Sequence, residues 1–215
     1  MQAQDFVKSH YETLQSSDNI IIRFLTSIIA WIMDFAQVLI IGLATMIILN
    51  MFVFSPHTIE GVSMQPNFCS GDVVITDKLS PNFTGYQKGD VIVFQLREGQ
   101  DLIKRIIAME GDKIKIENGK VYVNGQEIEE RYLPKDRKTE IRNNDRMEEG
   151  VEYEVPKKHL FVLGDNRAES SDSRVFMFVN PEVNTLKGKI FAVLIPLKHA
   201  RLFDKTQSMQ VDNCR

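Results

Sequence analysis

FAQVLIIGLATMIILNMFVF, Phe35–Phe54, runs for 20 positions without a charged side chain. At a rise of about 1.5 Å per residue, such a helix covers about 30 Å, the thickness of a bilayer's hydrocarbon core. Helices of soluble proteins seldom run that long without a charge, so the stretch reads as a transmembrane helix and divides the chain. Upstream, FLTSIIAWIM (Phe24–Met33) is too short to span and is fenced by Arg23 and Asp34, which suits an interfacial or helix-extending segment. Removal as a signal peptide would need a small-x-small site after the run; SPHTIEG (Ser55–Gly61) supplies none, and 34 residues precede the run, so the anchor is expected to stay. Arg23 flanks the run on its N-terminal side, while no Lys or Arg occurs between Met51 and Asp77. Positive charge favours the inner side, so residues 1–34 are expected in the cytoplasm and residues 55–215 outside it, tied to the cell membrane and its lipid by the single span 35–54.

After Phe54 the continuous apolar pattern gives way to short alternating runs punctuated by Gly, Pro and Asn, the signature of antiparallel strands and turns. The domain is expected to be mostly β. Strands are expected over Asp72–Leu79, Asp90–Leu96, Leu102–Met109, His159–Gly164 and Lys189–Leu197. KIKIENGKVYVNGQEI (Lys113–Ile128) carries two Asn-Gly pairs, each suited to the positive φ angles of a type I′ hairpin turn, and predicts a small meander. With the polar stretch that follows, Glu129–Lys158, it reads as a smaller β-rich insertion over about 113–160, the polar part being expected as a solvated excursion.

Composition narrows the function. The chain has 215 residues, 43% hydrophobic and 26% charged, with a formal net charge of −3, so it offers no basic field for nucleic acid. Cys69 and Cys214 lie far apart, with no metal-type spacing around either. Neither a disulfide framework nor a zinc site is expected, and no cofactor is implied. NFT at Asn82–Thr84 fits a glycosylation sequon, a match too short to carry an argument.

EGVSMQPNF (Glu60–Phe68) places a serine just beyond the apolar run. A serine hydroxyl becomes a nucleophile only when a base takes its proton and donors hold the oxyanion. The nucleophile elbow G-x-S-x-G fails here, because Gly61-Val62-Ser63 is followed by Met64 and Gln65, so an α/β-hydrolase triad is not indicated. A neutral lysine is the other known activating partner. In DLIKRIIAM, strand alternation puts Leu102, Lys104 and Ile106 on one face, and a lysine between aliphatics loses the hydration its charge needs. Lowering its pKa from about 10.4 to about 8 costs roughly 3 kcal/mol, within what a folded apolar site imposes. Arg105 stays charged and cannot be the base. Surface strands also carry lysines between apolar residues, and SMQP is also an ordinary turn sequence; the combination gives the pattern its meaning.

The blocks occur in a telling order: SMQP (Ser63–Pro66) with GD (Gly71–Asp72), then GDVIVF (Gly89–Phe94), KRIIAMEGD (Lys104–Asp112) and GDNRAESSDSR (Gly164–Arg174). Together with the single anchor they resemble bacterial type I signal peptidases, in the short form of Gram-positive bacteria. These are membrane-anchored proteases that remove signal peptides from exported proteins. The resemblance implies a signal-peptidase-like antiparallel β catalytic domain with Ser63 as nucleophile and Lys104 as general base. Ser170 would hydrogen-bond the Lys104 amine, and Asp172 and Arg174 would form a supporting ion pair. The partners implied are signal peptides of secreted preproteins, cut at small-x-small sites near the export translocon, with Met64 as a candidate lining residue.

Three positions depart from the family pattern. Gly61 stands where many members carry a serine whose hydroxyl helps form the oxyanion hole, so the donors would be backbone groups around Gly61 and Ser63. Asn67 replaces a Thr, and Met177 a Gly. Two other readings stay open. A self-cleaving repressor would need an Ala-Gly or Cys-Gly bond, which the chain lacks; a catalytically silent, membrane-tethered assembly factor would be expected to lose Ser63 or Lys104, and both are present.

Overall fold

The computed structural model describes residues 2–96, 101–181, 185–205 and 214, with side chains from residue 20 onward except 50 and 51. The first element is one unbroken helix, α1 (Gln2–Phe52). Phe24–Met33 continues this helix, as no Pro or Gly interrupts it. Ile20–Leu49 is long and apolar enough to cross a membrane, and none of it is buried. The helix ends at Phe52, so Phe54 already belongs to the first strand.

Residues 51–215 form a separate compact unit. In chain order it contains β1 (Phe54–Thr58), β2 (Val73–Asp77), the short helix α2 (Pro81–Thr84), β3 (Val91–Gln95), β4 (Asp101–Met109), β5 (Lys113–Glu117), β6 (Lys120–Val123), β7 (Gln126–Glu127), β8 (Glu152–Glu154), β9 (Leu160–Leu163), the short helix α3 (Ser173–Phe176), β10 (Thr185–Ile195), a 3-10 turn at Leu197–His199, and β11 (Arg201–Leu202). The larger antiparallel sheet runs β1-β2-β10-β3-β4-β9, with β11 on β10; the smaller runs β7-β6-β5-β8. All five strands expected from the sequence are present, and the domain is mostly β.

The sheet's two faces are both covered, and β3 shows why its sequence is uninterrupted Val-Ile-Val-Phe. Val91 and Val93 pack with Ile103, Met64 and Phe68 in one cluster, while Ile92 and Phe94 pack with Ile106, Leu160 and Val162 in another. The smaller sheet is buried on one face only. Ile114, Ile116, Val121 and Val123 point into a third cluster, and the alternating Lys113, Lys115, Lys120 and Tyr122 face outward. Its two turns are as expected: Asn118 and Gly119 have φ of 53° and 77°, and Asn124 and Gly125 have φ of 54° and 77°.

Three Gly-Asp pairs perform the same local task. In each, glycine takes a positive φ (90° at Gly71, 90° at Gly89, 80° at Gly111), and the aspartate carboxylate accepts the backbone N–H three residues back, from Cys69, Gln87 and Met109 respectively. Each turn feeds directly into a strand, β2, β3 or β5. An L side chain is strained at such a φ, and the carboxylate satisfies an N–H that the strand ladder cannot.

Two expectations are corrected. The Glu129–Lys158 segment is not simply solvated: Tyr132, Leu133, Met147 and Val155 are buried in the third cluster, and β8 pairs with β5. Its apolar residues are spaced irregularly because an irregular loop places them, and so no period announced them. Cys69 and Cys214 form a disulfide across 145 residues of sequence. Spacing gives no sign of such a bond, because the approach of the two cysteines is a property of the tertiary fold.

Candidate active site

Ser63 sits half-buried in the turn between β1 and β2, where Met64 and Phe68 anchor the chain in the core. The turn is also tied from the opposite side: the Asn166 N–H donates to Ser63 O at 3.0 Å and Asn166 Nδ2 donates to Val62 O at 3.2 Å. Gly164 makes this approach possible. A Cβ there would lie 2.5 Å from Ser63 O and 2.2 Å from Ser170 Oγ, closer than real carbon contacts come.

Lys104 lies on β4 directly opposite Ile92 of β3, with Leu102 and Ile106 on the same face, and is only 2% exposed. Its Nζ donates to Ser63 Oγ at 2.9 Å and to Ile103 O at 2.7 Å. Burial lowers the amine's pKa to about 8, even though the Asp172 and Asp165 carboxylates pull it back upward. The arrangement places against a hydroxyl an amine of which about a tenth is neutral at pH 7, far more than for an ordinary lysine.

The remaining residues singled out from the sequence fall into two groups. Asp172 and Arg174 are fully buried and joined by two hydrogen bonds, Nε to Oδ1 and Nη2 to Oδ2, each at 2.9 Å. Burial alone would raise the Asp172 pKa, but Arg174 and the Gly164 N–H hold it below the ordinary carboxylate value. Ser170 behaves differently: the expected bond to Lys104 is not formed. Its hydroxyl is buried against Gly164, close enough to Asp172 to favour the carboxylate but without a hydrogen bond of good geometry, and the amine is instead met by Ser63 and Ile103. Met64 is 1% exposed and belongs to the core, so it presents no surface to a substrate. Gly61 is exposed with φ of 89°. Among the described residues, the Ser63 N–H is engaged in no hydrogen bond and is free to meet an oxyanion.

A buried network behind the site had no warning in the sequence. Arg105, beside Lys104 but on the opposite face, holds Asp165 through Nε–Oδ1 at 2.8 Å and Nη2–Oδ2 at 2.7 Å, and its guanidinium stacks 3.9 Å from the Tyr132 ring centroid. Asn67 Nδ2 donates to Asp165 Oδ2 at 2.7 Å and to Tyr132 O at 2.8 Å. Arg167 is bound by Glu130. The Arg105–Asp165 pair bridges 60 positions of sequence, beyond the reach of any local period, but the Gly-Asp-Asn block that holds Asp165 was already visible.

Comparison with known proteins places the chain in a family. Residues 29–195 match the family described as signal peptidase, peptidase S26. A signal peptidase I of Bacillus caldolyticus is 40% identical over 147 residues, covering 66% of this chain and 80% of the relative. Signal peptidase IB of Staphylococcus aureus strain COL is 32% identical over 167 residues, covering 72% and 84%. A crystal structure of a signal peptidase I from Enterococcus faecalis aligns at 28% identity over 48% of this chain and 95% of that chain, with a TM-score of 0.37. The chain belongs to the S26 family of signal peptidases. It is thus a peptidase, a hydrolase of the peptide bond.

Proposed function

We propose that the protein is a membrane-anchored serine endopeptidase that removes N-terminal signal peptides from exported preproteins, using Ser63 as nucleophile and Lys104 as general base. The observation that carries this reading is the 2.9 Å contact between Lys104 Nζ and Ser63 Oγ inside an apolar, almost fully buried setting. With the amine neutral, its lone pair accepts the Ser63 proton as Oγ attacks the scissile carbonyl. The protonated amine then gives that proton to the leaving nitrogen, and the same lysine activates the water that releases the acyl-enzyme. The developing oxyanion is met by the Ser63 N–H, with Gly61 leaving room for the substrate backbone.

An extended substrate also has a place to bind. Among the described residues, the strand ladders join β1 to β2 and residues 101–104 of β4 to β3, and no further strand lies alongside either. His57 of β1 comes within 3.5 Å of Asp101 of β4, which brings these edges together near Ser63 and Lys104. A peptide added as a strand would satisfy both edges, and small side chains near the cleaved bond suit the close quarters around Ser63. In sequence Ser63 follows Phe54 by nine residues. With the N-terminus in the cytoplasm, this puts the nucleophile near the outer membrane surface, where a preprotein's cleavage site emerges from the translocon.

The test is cleavage of a purified preprotein by the wild type, Ser63→Ala and Lys104→Ala. Both variants should lose processing by several orders of magnitude, and retained activity in either would sink the dyad. A Ser63→Ala variant that still processes nothing but supports assembly of a partner complex would favour a non-catalytic tether. Protease treatment of intact cells checks orientation, because residues 55–215 should be digested from outside.

A further inference from the structure

The turn after Ser63 carries a second cluster of chemically capable side chains that the proposed proteolysis does not use. Cys69 and Asp72 lie on the turn entering β2, and His199 closes the 3-10 turn after β10. All three are buried, and one ligand atom of each (Sγ, a carboxylate oxygen, an imidazole nitrogen) lies within 4.8 Å of the others. Asp72 Oδ1 and His199 Nδ1 are 2.8 Å apart, while Asp72 Oδ2 accepts the Cys69 N–H at 2.9 Å. The cluster borders a cavity of about 600 Å³ whose wall continues through Ser70, Ile195 and Lys198.

We propose that Cys69, Asp72 and His199 form a site for a divalent metal ion of the zinc class, open only when the Cys69–Cys214 disulfide is reduced. A thiolate, an imidazole and a carboxylate are the ligand types zinc takes, and three protein ligands beside a cavity leave the fourth tetrahedral position to water. The Cys69 N–H bond to Asp72 Oδ2 fixes the carboxylate with its other oxygen toward His199, the outer-shell support that metal ligands use. Positive charge stands nearby: Arg201 donates to His199 O at 2.8 Å and to Asn67 O at 2.7 Å, and Lys198 lies on the cavity wall. That field disfavours a calcium or magnesium ion held by one carboxylate and leaves selection to an ion that bonds strongly to sulfur.

Disulfide and metal exclude each other. A dithiol reductant delivers two electrons and two protons to the Cys69–Cys214 bond, yielding two thiols and its own disulfide. The metal then binds the Cys69 thiolate and His199 Nδ1. The thiol proton goes to solvent, and the Nδ1 proton that faces Asp72 Oδ1 moves to Nε2, which frees the Nδ1 lone pair and the carboxylate oxygen for the metal.

The full chain in detergent micelles, reduced with dithiothreitol and desalted without oxygen, is titrated with cobalt(II) as a spectroscopic stand-in for zinc. The reduced protein should take up one equivalent and develop a thiolate-to-cobalt charge-transfer band that zinc abolishes, while the oxidised protein shows none. Cys214→Ala, which leaves Cys69 as a free thiol, should show the band without reductant. Adding His199→Ala to that variant should remove it while circular dichroism stays unchanged. Reduced wild-type protein that takes up no cobalt at equimolar concentration, or a band that survives Cys69→Ala, overturns the site.

Discussion

At the scale of single residues, Lys104 joins activity and stability through one pKa. Its amine titrates at about 8 in the folded protein, against 10.5 ordinarily. Because the proposed base works only when neutral, kcat/KM should rise with pH up to about 8 and level off above it, since no more than about a tenth of the amine is neutral a unit below its pKa. A profile that is flat from pH 5 to 9 would count against the lysine. Lys104→Arg should be inactive, as guanidinium cannot accept the proton. The same shift has a thermodynamic side. Between the folded and unfolded pKa values the unfolded chain binds more protons, so stability rises with pH across that window, and below it the folded state carries the full penalty of burying the amine. Lys104→Met, which keeps the shape and removes the charge, should abolish processing and yet raise stability at pH 7 by up to about 3 kcal/mol, read as a shift in urea midpoint. Gly164 is the other decisive residue. A methyl group there meets Ser63 O at 2.5 Å and Ser170 Oγ at 2.2 Å, so Gly164→Ala must displace the turn that carries Ser63, the proposed nucleophile. It should cost at least about 100-fold in kcat, in line with the penalty for misplacing a reacting group by about an ångström.

At the scale of elements, the three Gly-Asp turns that enter β2, β3 and β5 show what local sequence conveys. Gly111→Ala forces an L residue to φ near 80° and should lower stability by about 1–2 kcal/mol in denaturant titration, with the slope of the transition unchanged. The same turns explain why the strands were legible: glycine, aspartate and the alternation after them act within a few residues, as do the Asn-Gly hairpins of the smaller sheet. Ser63 and Lys104 were legible for a different reason, as ordered blocks shared with a family. The Arg105–Asp165–Asn67–Tyr132 network was not, because its members are dispersed across four segments and become neighbours only when β4 meets the turn after β9. It is also what made the Glu129–Lys158 stretch misleading, since a charged, aperiodic sequence still delivers Tyr132 beneath a buried guanidinium. Asp165→Asn leaves Arg105 buried without its counter-charge and should cost about 3–5 kcal/mol, far more than removal of a surface ion pair.

At the scale of the whole molecule, the chain joins an apolar helix to a separately compact β unit, and this division predicts how activity responds to removal of the helix. The residues that meet at Ser63 and Lys104 all come from residues 51–215, and each helps hold another: the Ser63 turn rests on Asn166, Lys104 on β3, and Asp172 on Arg174. Nothing in that mutual support draws on residues 20–49, so a chain beginning at Met51 should keep the chemistry proposed for Ser63 and Lys104. What it loses is confinement. An enzyme and a preprotein held in one membrane meet at an effective concentration far above that of freely diffusing partners, a gain of about 100-fold or more for tethered pairs, without any new contact at the bond being cut. The truncated chain should therefore cleave a short soluble peptide with the kcat/KM of the full chain while processing a bilayer-inserted preprotein at least about 10-fold more slowly, and fusing it to an unrelated membrane-spanning helix should restore the second rate. Equal loss on both substrates would instead mean that the helix shapes the active site itself, and failure of the unrelated helix to rescue would assign substrate recognition to the sequence of Ile20–Leu49.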